Sequence, residues 1–388
     1  MLKTYEYRMY PNKEQRTLIA KHFGCTRFVY NKALALKSSL YEQEGKTISK
    51  FDLCKEITKW KSEKETSWLK EVQAQALQQT MTDLDSAFIK FFREKKGFPK
   101  FKSKHTHRYS YRSPQGNKID FKNKRIFLPK IKWIKIRIDR EFEGEIHSVT
   151  VKKVSSGKYF VSVLFEDKTE NKPLKPIKED TTIGIDLGLK DFAVFSTGEK
   201  IPNPKSLKKN LKKLQVLQHR MDKKVNGSNN KNKARIKVAK QHEKIANIRK
   251  DFLHKLSTKL TNENQISTIC LETLNISGMM KNHRLAQSIG DASWSSFIQM
   301  LIYKAERNGI NILRIGQFEP SSKTCTCGYI NKELTLKDRE WVCPSCGVHH
   351  DRDILAANNI KRMALADLNI KYQNSGLGKS VELVEILH

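Results

Sequence analysis

The chain lacks long apolar runs and a signal-like start. Across its 388 residues no apolar stretch reaches the roughly 18 residues that a membrane-spanning helix needs. The first ten residues, MLKTYEYRMY, carry polar groups where a secretory signal peptide has its apolar segment. We therefore expect a protein without membrane segments, located in the cytoplasm or on the nucleoid.

Acidic side chains are also scarce. Asp and Glu number 41 against 74 Lys and Arg, which gives a formal net charge of +33. Solubility does not require so large an excess of one sign, so a polyanionic partner is the simplest interpretation. With 38% hydrophobic residues, including 18 Phe, 11 Tyr and 5 Trp, the composition excludes a disordered chain. The sequence thus predicts a folded basic protein of one to three domains.

The seven cysteines are unevenly distributed. Four of them fall within 22 residues, namely Cys325, Cys327, Cys343 and Cys346. In a reducing compartment such clustering favours a metal site over disulfides, and four thiolates would enclose a structural Zn²⁺ tetrahedrally. The first pair is one residue shorter than the usual Cys-x-x-Cys. Free thiols, or three cysteines completed by His349 or His350, therefore stay open as alternatives.

Hydrophobic periodicity divides the first half of the chain into β and helical parts. Residues 2–9 alternate as a strand does, and Pro11 lets a helix begin near Asn12. From there to about residue 95 the apolar spacing predicts three or four packed helices. Short β-like runs between 119 and 166 then predict a small barrel-like domain that includes the first strand. Lys168–Asp180 has the composition of a linker.

Two segments concentrate positive charge. Residues 91–125 carry 12 Lys and Arg against 2 acids, with aromatic residues interleaved, a pattern that suits stacked nucleotides. The alternative is a solvated basic loop. Residues 203–260 carry 18 against 3 but keep an apolar stripe, which predicts two long helices with one packed face. The candidate nucleic-acid-binding residues are Lys100, Lys102, Lys104, Arg108, Tyr109, Arg112, Lys208, Lys209, Lys212 and Lys213.

Three acids stand at the ends of predicted core elements. Asp186 and Glu272 each end a buried strand, and Asp353 begins the last helix. Strand-end acids meet at one edge of a sheet, where carboxylates hold Mg²⁺ and support two-metal phosphodiester hydrolysis. This is the layout of an RNase H-like nuclease. Asp351 is a rival to Asp353, and each acid taken alone is explained more readily by capping a turn or a helix.

Five motifs in a fixed order carry a family resemblance over nearly the whole chain. They are Gly97-Phe-Pro-Lys-Phe-Lys, Gly184-Ile-Asp-Leu-Gly, Leu271-Glu-Thr-Leu-Asn, Tyr303-Lys-Ala, and the segment from Ser321-Ser-Lys-Thr-Cys to Asp351-Arg-Asp-Ile-Leu-Ala-Ala-Asn-Asn-Ile. Together they resemble the TnpB family of transposon-encoded RNA-guided nucleases, from which type V CRISPR effectors descend.

The resemblance implies an α+β multidomain fold. Its expected parts are a wedge-like β-barrel domain (1–10 and 96–168), an inserted helical recognition domain (11–95), an RNase H-like (RuvC) α/β nuclease (180–320 and 348–368) with a basic helical hairpin (203–260), a zinc ribbon (321–347) and a flexible tail (369–388). In this arrangement the nuclease core is interrupted by the ribbon.

The resemblance also implies activity, cofactors and partners. Asp186, Glu272 and Asp353 would form a RuvC triad that holds two Mg²⁺ ions, and the four cysteines would hold structural Zn²⁺. One protein would bind one omega-type guide RNA from the transposon end and cleave matching double-stranded DNA beside a short adjacent motif. The cell would be prokaryotic.

One position departs from the family pattern. Leu355 stands where the family usually has Asn, so we expect altered support of Asp353. Three alternatives remain at this point: a nuclease-inactive RNA-guided DNA-binding repressor, a DNA-strand-transfer transposase without guide RNA, and a zinc-ribbon nucleic-acid-binding protein with unrelated acids.

Overall fold

The computed structural model describes residues 1–104, 109–263, 265–317, 319–335 and 338–375, with only the backbone described for 369–375. The chain divides into two units. One comprises Met1–Glu170 with Asn232–Lys240, and the other comprises Asn171–Lys231 with the chain from Gln241 onward. Among the described residues, no helix combines the length and the apolar character needed to cross a bilayer.

The first unit contains a helical segment that follows strand β1 (Leu2–Tyr10). Its elements are α1 (Lys13–Glu44), α2 (Lys50–Ser62), a 3₁₀ helix (Lys64–Glu71) and α3 (Ala74–Glu94). Helix α1 begins with a capping box, because the Asn12 side chain accepts the Gln15 amide and the Gln15 side chain accepts the Asn12 amide. It ends at Gly45, whose φ of 64° permits the left-handed turn.

A seven-stranded antiparallel sheet completes the first unit. After β1 its strands are β2 (Tyr109–Ser113), β3 (Lys118–Asp120), β4 (Arg125–Leu128), β5 (Lys132–Arg137), β6 (Gly144–Lys153) and β7 (Tyr159–Asp167). The order across the sheet is β2-β6-β7-β1-β5-β4-β3. Alternate residues of β7, including Val161 and Val163, are buried, as expected for one core-facing side. Among the described strands, the two edge strands β2 and β3 do not pair with each other.

The second unit is built on a five-stranded mixed sheet. Its strands are β8 (Thr182–Leu187), β9 (Asp191–Phe195), β10 (Lys200–Pro202), β11 (Thr268–Glu272) and β12 (Asn311–Ile315). The order is β10-β9-β8-β11-β12, with β8, β11 and β12 parallel and β9 antiparallel to both of its neighbours. Strands β8 and β11 are apolar on both faces, which is typical of a sheet covered on both sides.

Helices cover both faces of this sheet. The helices that follow β10 along the chain are α4 (Ser206–Asp222), α5 (Asn229–Asn262), α6 (Ile276–Met279), α7 (His283–Ala292), α8 (Trp294–Asn308) and α9 (Arg352–Ser375). Residues of α5, α7 and α8 form one core with Ile183 and Ile185, whereas α9 packs on the other face. Helix α9 extends past the predicted boundary at 368 to Ser375, and its apolar contact with the sheet includes Met363, Leu365 and Leu368. Residues 376–388 of the predicted tail lie outside the described chain.

The contact between β8 and α9 requires glycine at position 184. A Cβ atom built on Gly184 would lie 2.0 Å from the carbonyl oxygen of Ala357 and 2.9 Å from the amide nitrogen of Lys361. Both neighbours are helix backbone, which cannot move aside as a flexible side chain would. The glycine therefore sets how closely the helix approaches the strand.

We expect Gly184→Ala to lower the free energy of unfolding of the second unit by about 2–3 kcal/mol, because the methyl group overpacks a backbone contact. Chemical denaturation of the RNA-free protein measures this. Gly290→Ala is the matched control: its Cβ would meet only a methionine methyl at 3.7 Å. In helix α7 that change should be neutral or stabilise by up to about 1 kcal/mol. Equal effects of the two variants would contradict the prediction.

Candidate active site and cysteine cluster

Two of the predicted acids lie side by side at the end of the sheet. Strands β8 and β11 run parallel with Ile185 opposite Leu271, so Asp186 and Glu272 follow at the same level. Because side chains alternate along a strand and Ile185 and Leu271 enter the core with α8, both acids face the side covered by α9. The structure thus places them at the carboxyl edge, as the sequence predicted.

Helix α9 brings the third acid to the same place. Ala357 lies against Gly184, and Asp353 is one helical turn earlier, in the first turn of α9. Asp186 lies two residues beyond Gly184 on the same face of β8. The nearby charges of Glu272 and Asp353 both act on the pKa of Asp186, so the three acids share one electrostatic environment.

The pKa values of two acids at this edge of the sheet are shifted as expected for buried carboxylates. Burial, the charge of Glu272 and the charge of Asp353 raise the pKa of Asp186 to about 7, and the positive charge of Arg352 only partly offsets them. Burial also raises the pKa of Glu272. Carboxylate oxygens are the donors that Mg²⁺ prefers, and a divalent cation would relieve the mutual repulsion. The donor set therefore fits this metal. The three carboxylates do not form as tight a group as the sulfur atoms of the four clustered cysteines.

The structure distinguishes Asp353 from its rival Asp351. One carboxylate oxygen of Asp351 accepts the amides of Asp353 and Ile354, both at 3.1 Å, so this residue caps α9. Its other oxygen lies 2.6 Å from the Lys200 ammonium. Partial burial acts to raise the pKa of Asp351, but hydrogen bonds from Lys200 and the Ile354 amide outweigh it and hold the pKa below its usual value. Asp351 thus serves as a helix cap.

Two arginines that the sequence analysis missed adjoin the acids. Arg339 Nη1 lies 3.1 and 3.2 Å from the two carboxylate oxygens of Asp353. Arg352 is buried, and its Nη1 donates to the carbonyls of Thr335 at 2.7 Å and Asp338 at 3.2 Å. Arg352 was visible as the middle residue of Asp-Arg-Asp. Arg339 carried no signal, because it stands among other charged residues between the cysteine pairs.

The four clustered cysteines converge. Their sulfur atoms all lie within 4.8 Å of one another, with Cys325–Cys346 at 3.5 Å and Cys327–Cys343 at 3.7 Å. Four thiolates around Zn²⁺ at about 2.3 Å would be separated by about 3.8 Å, so the arrangement fits a tetrahedral zinc site. All four are free thiols. The short Cys-x-Cys pair does not prevent this convergence.

The two neighbouring histidines occupy different positions. His350 is buried, its Nε2 lies 3.0 Å from the sulfur of Cys325, and its ring packs against Trp341 at 4.9 Å. His350 therefore contacts the Cys325 thiol but is not a member of the group of four sulfur atoms. His349 is exposed, with Nε2 3.5 Å from a Glu340 oxygen. The geometry favours four thiolates over a site completed by a histidine.

Leu355 belongs to the cysteine cluster and not to the acid edge. It is buried in a core with Cys325, Leu334, Trp341 and Cys343. Two residues after Asp353, it points to another side of the helix, since each residue advances about 100°. Any effect of this family departure on Asp353 therefore acts through the packing of the cysteine cluster.

The predicted nucleic-acid-binding lysines are exposed. Lys208, Lys209, Lys212 and Lys213 share one face of α4, at spacings of one and four residues, and Leu214 is buried on the opposite side. Lys100, Lys102 and Lys104 are exposed in the first unit. Arg108 lies outside the described residues.

The aromatic candidates in the first unit differ in exposure. Tyr109 is half-buried against Phe23 and donates its hydroxyl to the Lys104 carbonyl at 2.9 Å. Arg112 lies 3.8 Å from an Asp83 oxygen at the surface. Both line a cleft of about 850 Å³ together with Lys100, Lys102 and Phe101. Phe101 is 63% exposed, so it offers the more accessible ring for stacking.

Comparison with known proteins identifies the relatives of this chain. Residues 161–283 match the OrfB_IS605 family, described as a probable transposase, residues 294–360 match a Cas12f1-like TNB domain, and residues 1–46 match a helix-turn-helix domain of OrfB_IS605 proteins. A Streptomyces pristinaespiralis protein named "Putative RNA-guided DNA endonuclease" is 38% identical over 94% of this chain and 90% of its own length. The chain belongs to the TnpB family.

Two further comparisons extend this result. InsQ of Escherichia coli K12, which bears the same descriptive name, is 33% identical over 92% of this TnpB-family chain and 91% of the relative. Cas12f1, solved with sgRNA and target DNA, superposes with a TM-score of 0.55 at 14% identity, covering 93% of this chain and 98% of that one. The mixed α/β fold is therefore Cas12f-like, with a RuvC-type transposase domain. The segment matched by the helix-turn-helix model consists of β1 and the single helix α1.

Cysteine substitution tests whether the cysteine cluster of this TnpB-family protein binds zinc. We expect Cys343→Ser to reduce bound zinc from about one ion per chain to near zero and to lower the melting temperature, because zinc-binding free energy is also folding free energy. Elemental analysis and thermal denaturation measure the two effects. Cys54→Ser, at a half-buried thiol in α2, should leave the zinc content unchanged. Full zinc retention in Cys343→Ser would argue against the site.

Proposed function

We propose that this protein is a transposon-encoded, Mg²⁺-dependent DNA endonuclease directed by a guide RNA. The observation that carries the proposal is the convergence of Asp186, Glu272 and Asp353 at one sheet edge of a strongly basic chain. Burial and the charges of Glu272 and Asp353 raise the pKa of Asp186, which in a protein of net charge +33 is expected where acids serve a metal and not the general surface. Two relatives that align with more than nine-tenths of this chain bear the name RNA-guided DNA endonuclease.

The proposed chemistry assigns a role to each acid. Asp186 and Glu272 would hold metal from the ends of adjacent strands, and Asp353 would hold it from the start of α9. Mg²⁺ bound there would supply a nucleophilic hydroxide and neutralise the leaving oxygen. Asp351 keeps the helix start in place through its two amide hydrogen bonds, and Lys200 fixes Asp351.

The proposed domain roles follow the two units. Residues 1–10 and 96–168 serve as the wedge-like β domain and 11–95 as the recognition helices, supported by the antiparallel sheet and by the helices between β1 and β2. Residues 180–320 and 348–368 form the nuclease, and 321–347 form a zinc ribbon, supported by the convergence of the four sulfurs.

The proposed partners are one guide RNA of the omega type and double-stranded target DNA. Base pairing reads the DNA sequence, and the protein contacts backbone phosphates with exposed lysines. The lysine face of α4 supports this assignment, since none of its four members has an ion pair among the described residues. Phe101 and Lys100 supply the corresponding surface on the first unit.

Substitution of the acids tests the enzyme. We expect Asp186→Ala, Glu272→Ala and Asp353→Asn each to slow guide-matched DNA cleavage by more than about a hundredfold, because each removes a carboxylate that would hold the metal ion. Guide-RNA affinity should stay within about twofold, since the basic surface is unchanged. Plasmid cleavage with Mg²⁺ measures the rate, and filter binding measures the affinity for guide RNA.

Asp351→Asn is the matched control for the acid series. It keeps the capping oxygen but loses the charge that pairs with Lys200, so we expect cleavage to persist with a loss of about 1 kcal/mol in stability at most. Abolished cutting in Asp351→Asn with normal cutting in Asp353→Asn would reverse the assignment. Bound RNA without cutting by the wild type would favour the repressor, and absence of RNA would favour the strand-transfer enzyme.

The lysine face of α4 can be tested through salt dependence. Replacing Lys208, Lys209, Lys212 and Lys213 with Gln should make the fall of log affinity with log salt less steep by about 3.6 on duplex DNA, since each phosphate contact contributes about 0.9. Titrations of guide RNA and target duplex at several salt concentrations measure it. Lys55→Gln with Lys59→Gln is the control, because these lysines pair with Asp52 and Glu56. An unchanged slope in the fourfold variant would count against this surface.

A further inference from the structure

We propose that Asp291 is a positioning residue for helix α4, which anchors the start of this helix and so directs its lysine face toward nucleic-acid phosphates. The inference rests on the proposed function, because that function assigns Lys208, Lys209, Lys212 and Lys213 to phosphate contacts. Asp291 itself lies on another helix, α7, and touches no nucleic acid in this role.

Helix α4 begins without a cap of its own. Lys205, the residue before it, has a left-handed conformation with a φ of 48° and a ψ of 49°, and its side chain makes no capping hydrogen bond. The first turn contains no acid, although Lys208 and Lys209 lie there beside the positive end of the helix dipole. An acceptor from elsewhere in the chain would satisfy a free amide of this turn and offset these charges.

Asp291 supplies that acceptor from the last turn of α7. Its Oδ2 accepts the backbone amide of Leu207 at 2.8 Å, although the two residues are 84 positions apart in the sequence. Leu207 is the second residue of α4, so its amide belongs to those that have no partner within the helix. A carboxylate at this place also interacts favourably with the helix dipole. Asp291 therefore caps α4 as a residue directly before a helix usually does.

The capping carboxylate is itself held in place. The Asp291 side chain is 7% exposed, and its other oxygen lies 3.7 Å from Arg249 Nη1 of α5. The same nitrogen of Arg249 donates to the Gly290 carbonyl at 3.1 Å. Because a buried carboxylate is costly to leave without such partners, the position of Asp291 is well defined. One buried side chain thus joins α4, α5 and α7.

The chain enters α4 from the acid edge of the sheet. Asn203, which precedes α4, donates its side-chain amide to the Leu189 carbonyl at 3.1 Å. Leu189 follows the end of β8 by two residues and Asp186 by three. The direction in which α4 leaves this edge therefore decides where its lysines lie relative to the acids, and the contact with Asp291 fixes that direction.

The negative charge of Asp291 lets the sign of an effect test the inference. Removing an acid from a basic protein normally strengthens its binding to nucleic acid, because the repulsion of phosphates falls. Loss of a positioning acid has the opposite effect, since the lysine face is no longer held toward the phosphates. Weaker binding after the loss of a negative charge is therefore a result that repulsion alone does not produce.

Two substitutions at Asp291 separate the charge from the cap. When target duplex is titrated into the guide-RNA complex without Mg²⁺, Asp291→Ala should weaken binding about five- to tenfold at physiological salt. The fall of log affinity with log salt should become less steep by about 2, which corresponds to about two lost phosphate contacts. Asp291→Asn removes the same charge but keeps an oxygen for the Leu207 amide, so its affinity should stay within about twofold of the wild type or be higher.

Leu207→Pro removes the same hydrogen bond from the side of α4. It deletes the amide that Asp291 accepts, and proline is tolerated in the first turn of a helix. The change in salt dependence should recur in this variant, which decides the question if Asp291→Ala does not fold. Asp251→Ala is the charge-matched control, because Asp251 pairs at 2.8 Å with Lys255 on the surface of α5. Its salt dependence should equal that of the wild type, with equal or slightly higher affinity.

A combined variant distinguishes positioning from a general loss of stability. When the four lysines of α4 are already Gln, Asp291→Ala should change the salt dependence no further, because it acts only through these lysines. A further change would overturn the inference, as would wild-type salt dependence in both Asp291→Ala and Leu207→Pro, and the proposed function would still stand. If the fourfold lysine variant itself binds like the wild type, the phosphate contacts assigned to α4 fail, and the positioning role fails with them.

Discussion

The close contact between α9 and β8 is the constraint on which the proposed site depends. At Gly184 the strand presents no side chain, so the helix backbone comes within contact distance of the sheet. That approach brings the first turn of α9 to the level of Asp186, where the charge of Asp353 acts on the pKa of Asp186. A wider separation of helix and strand would move Asp353 away while leaving Asp186 and Glu272 in place.

The same helix also supports the cysteine cluster with another of its faces. Asn359 is buried and donates its amide to the carbonyls of Ser321 at 2.7 Å and Thr324 at 2.6 Å, which fixes the chain as it enters the first cysteine pair. Leu355 packs beneath Cys325 and Cys343. Helix α9 therefore joins the acid edge and the cysteine cluster rigidly, and changes at Leu355 reach Asp353 through this shared scaffold.

The sequence predicted the elements of this site better than their contacts. Strands β8 and β11 are buried on both faces, so their apolar runs and terminal acids were recognisable along the chain. That Asp186 and Glu272 are neighbours depends on sheet order, which no local pattern encodes. Asp351 and Asp353 could not be separated because both fit the helix start, and only the cap hydrogen bonds distinguish them. Arg339 gave no sequence signal because its partner lies across a hairpin.

The position of the cysteine cluster in the chain explains why a structural metal would matter for catalysis. The cluster lies in the connection from β12 to α9, and only two residues separate Cys346 from the strand pairing that begins at His349. Four thiolates held by one ion would fix both ends of this connection at a single point. The start of α9 then follows from the cluster, because Asp351 both ends the strand His349–Asp351, which pairs with Glu340–Val342, and caps the helix. A structural zinc ion, which takes no part in the reaction itself, would in this way set the direction of the Asp353 side chain.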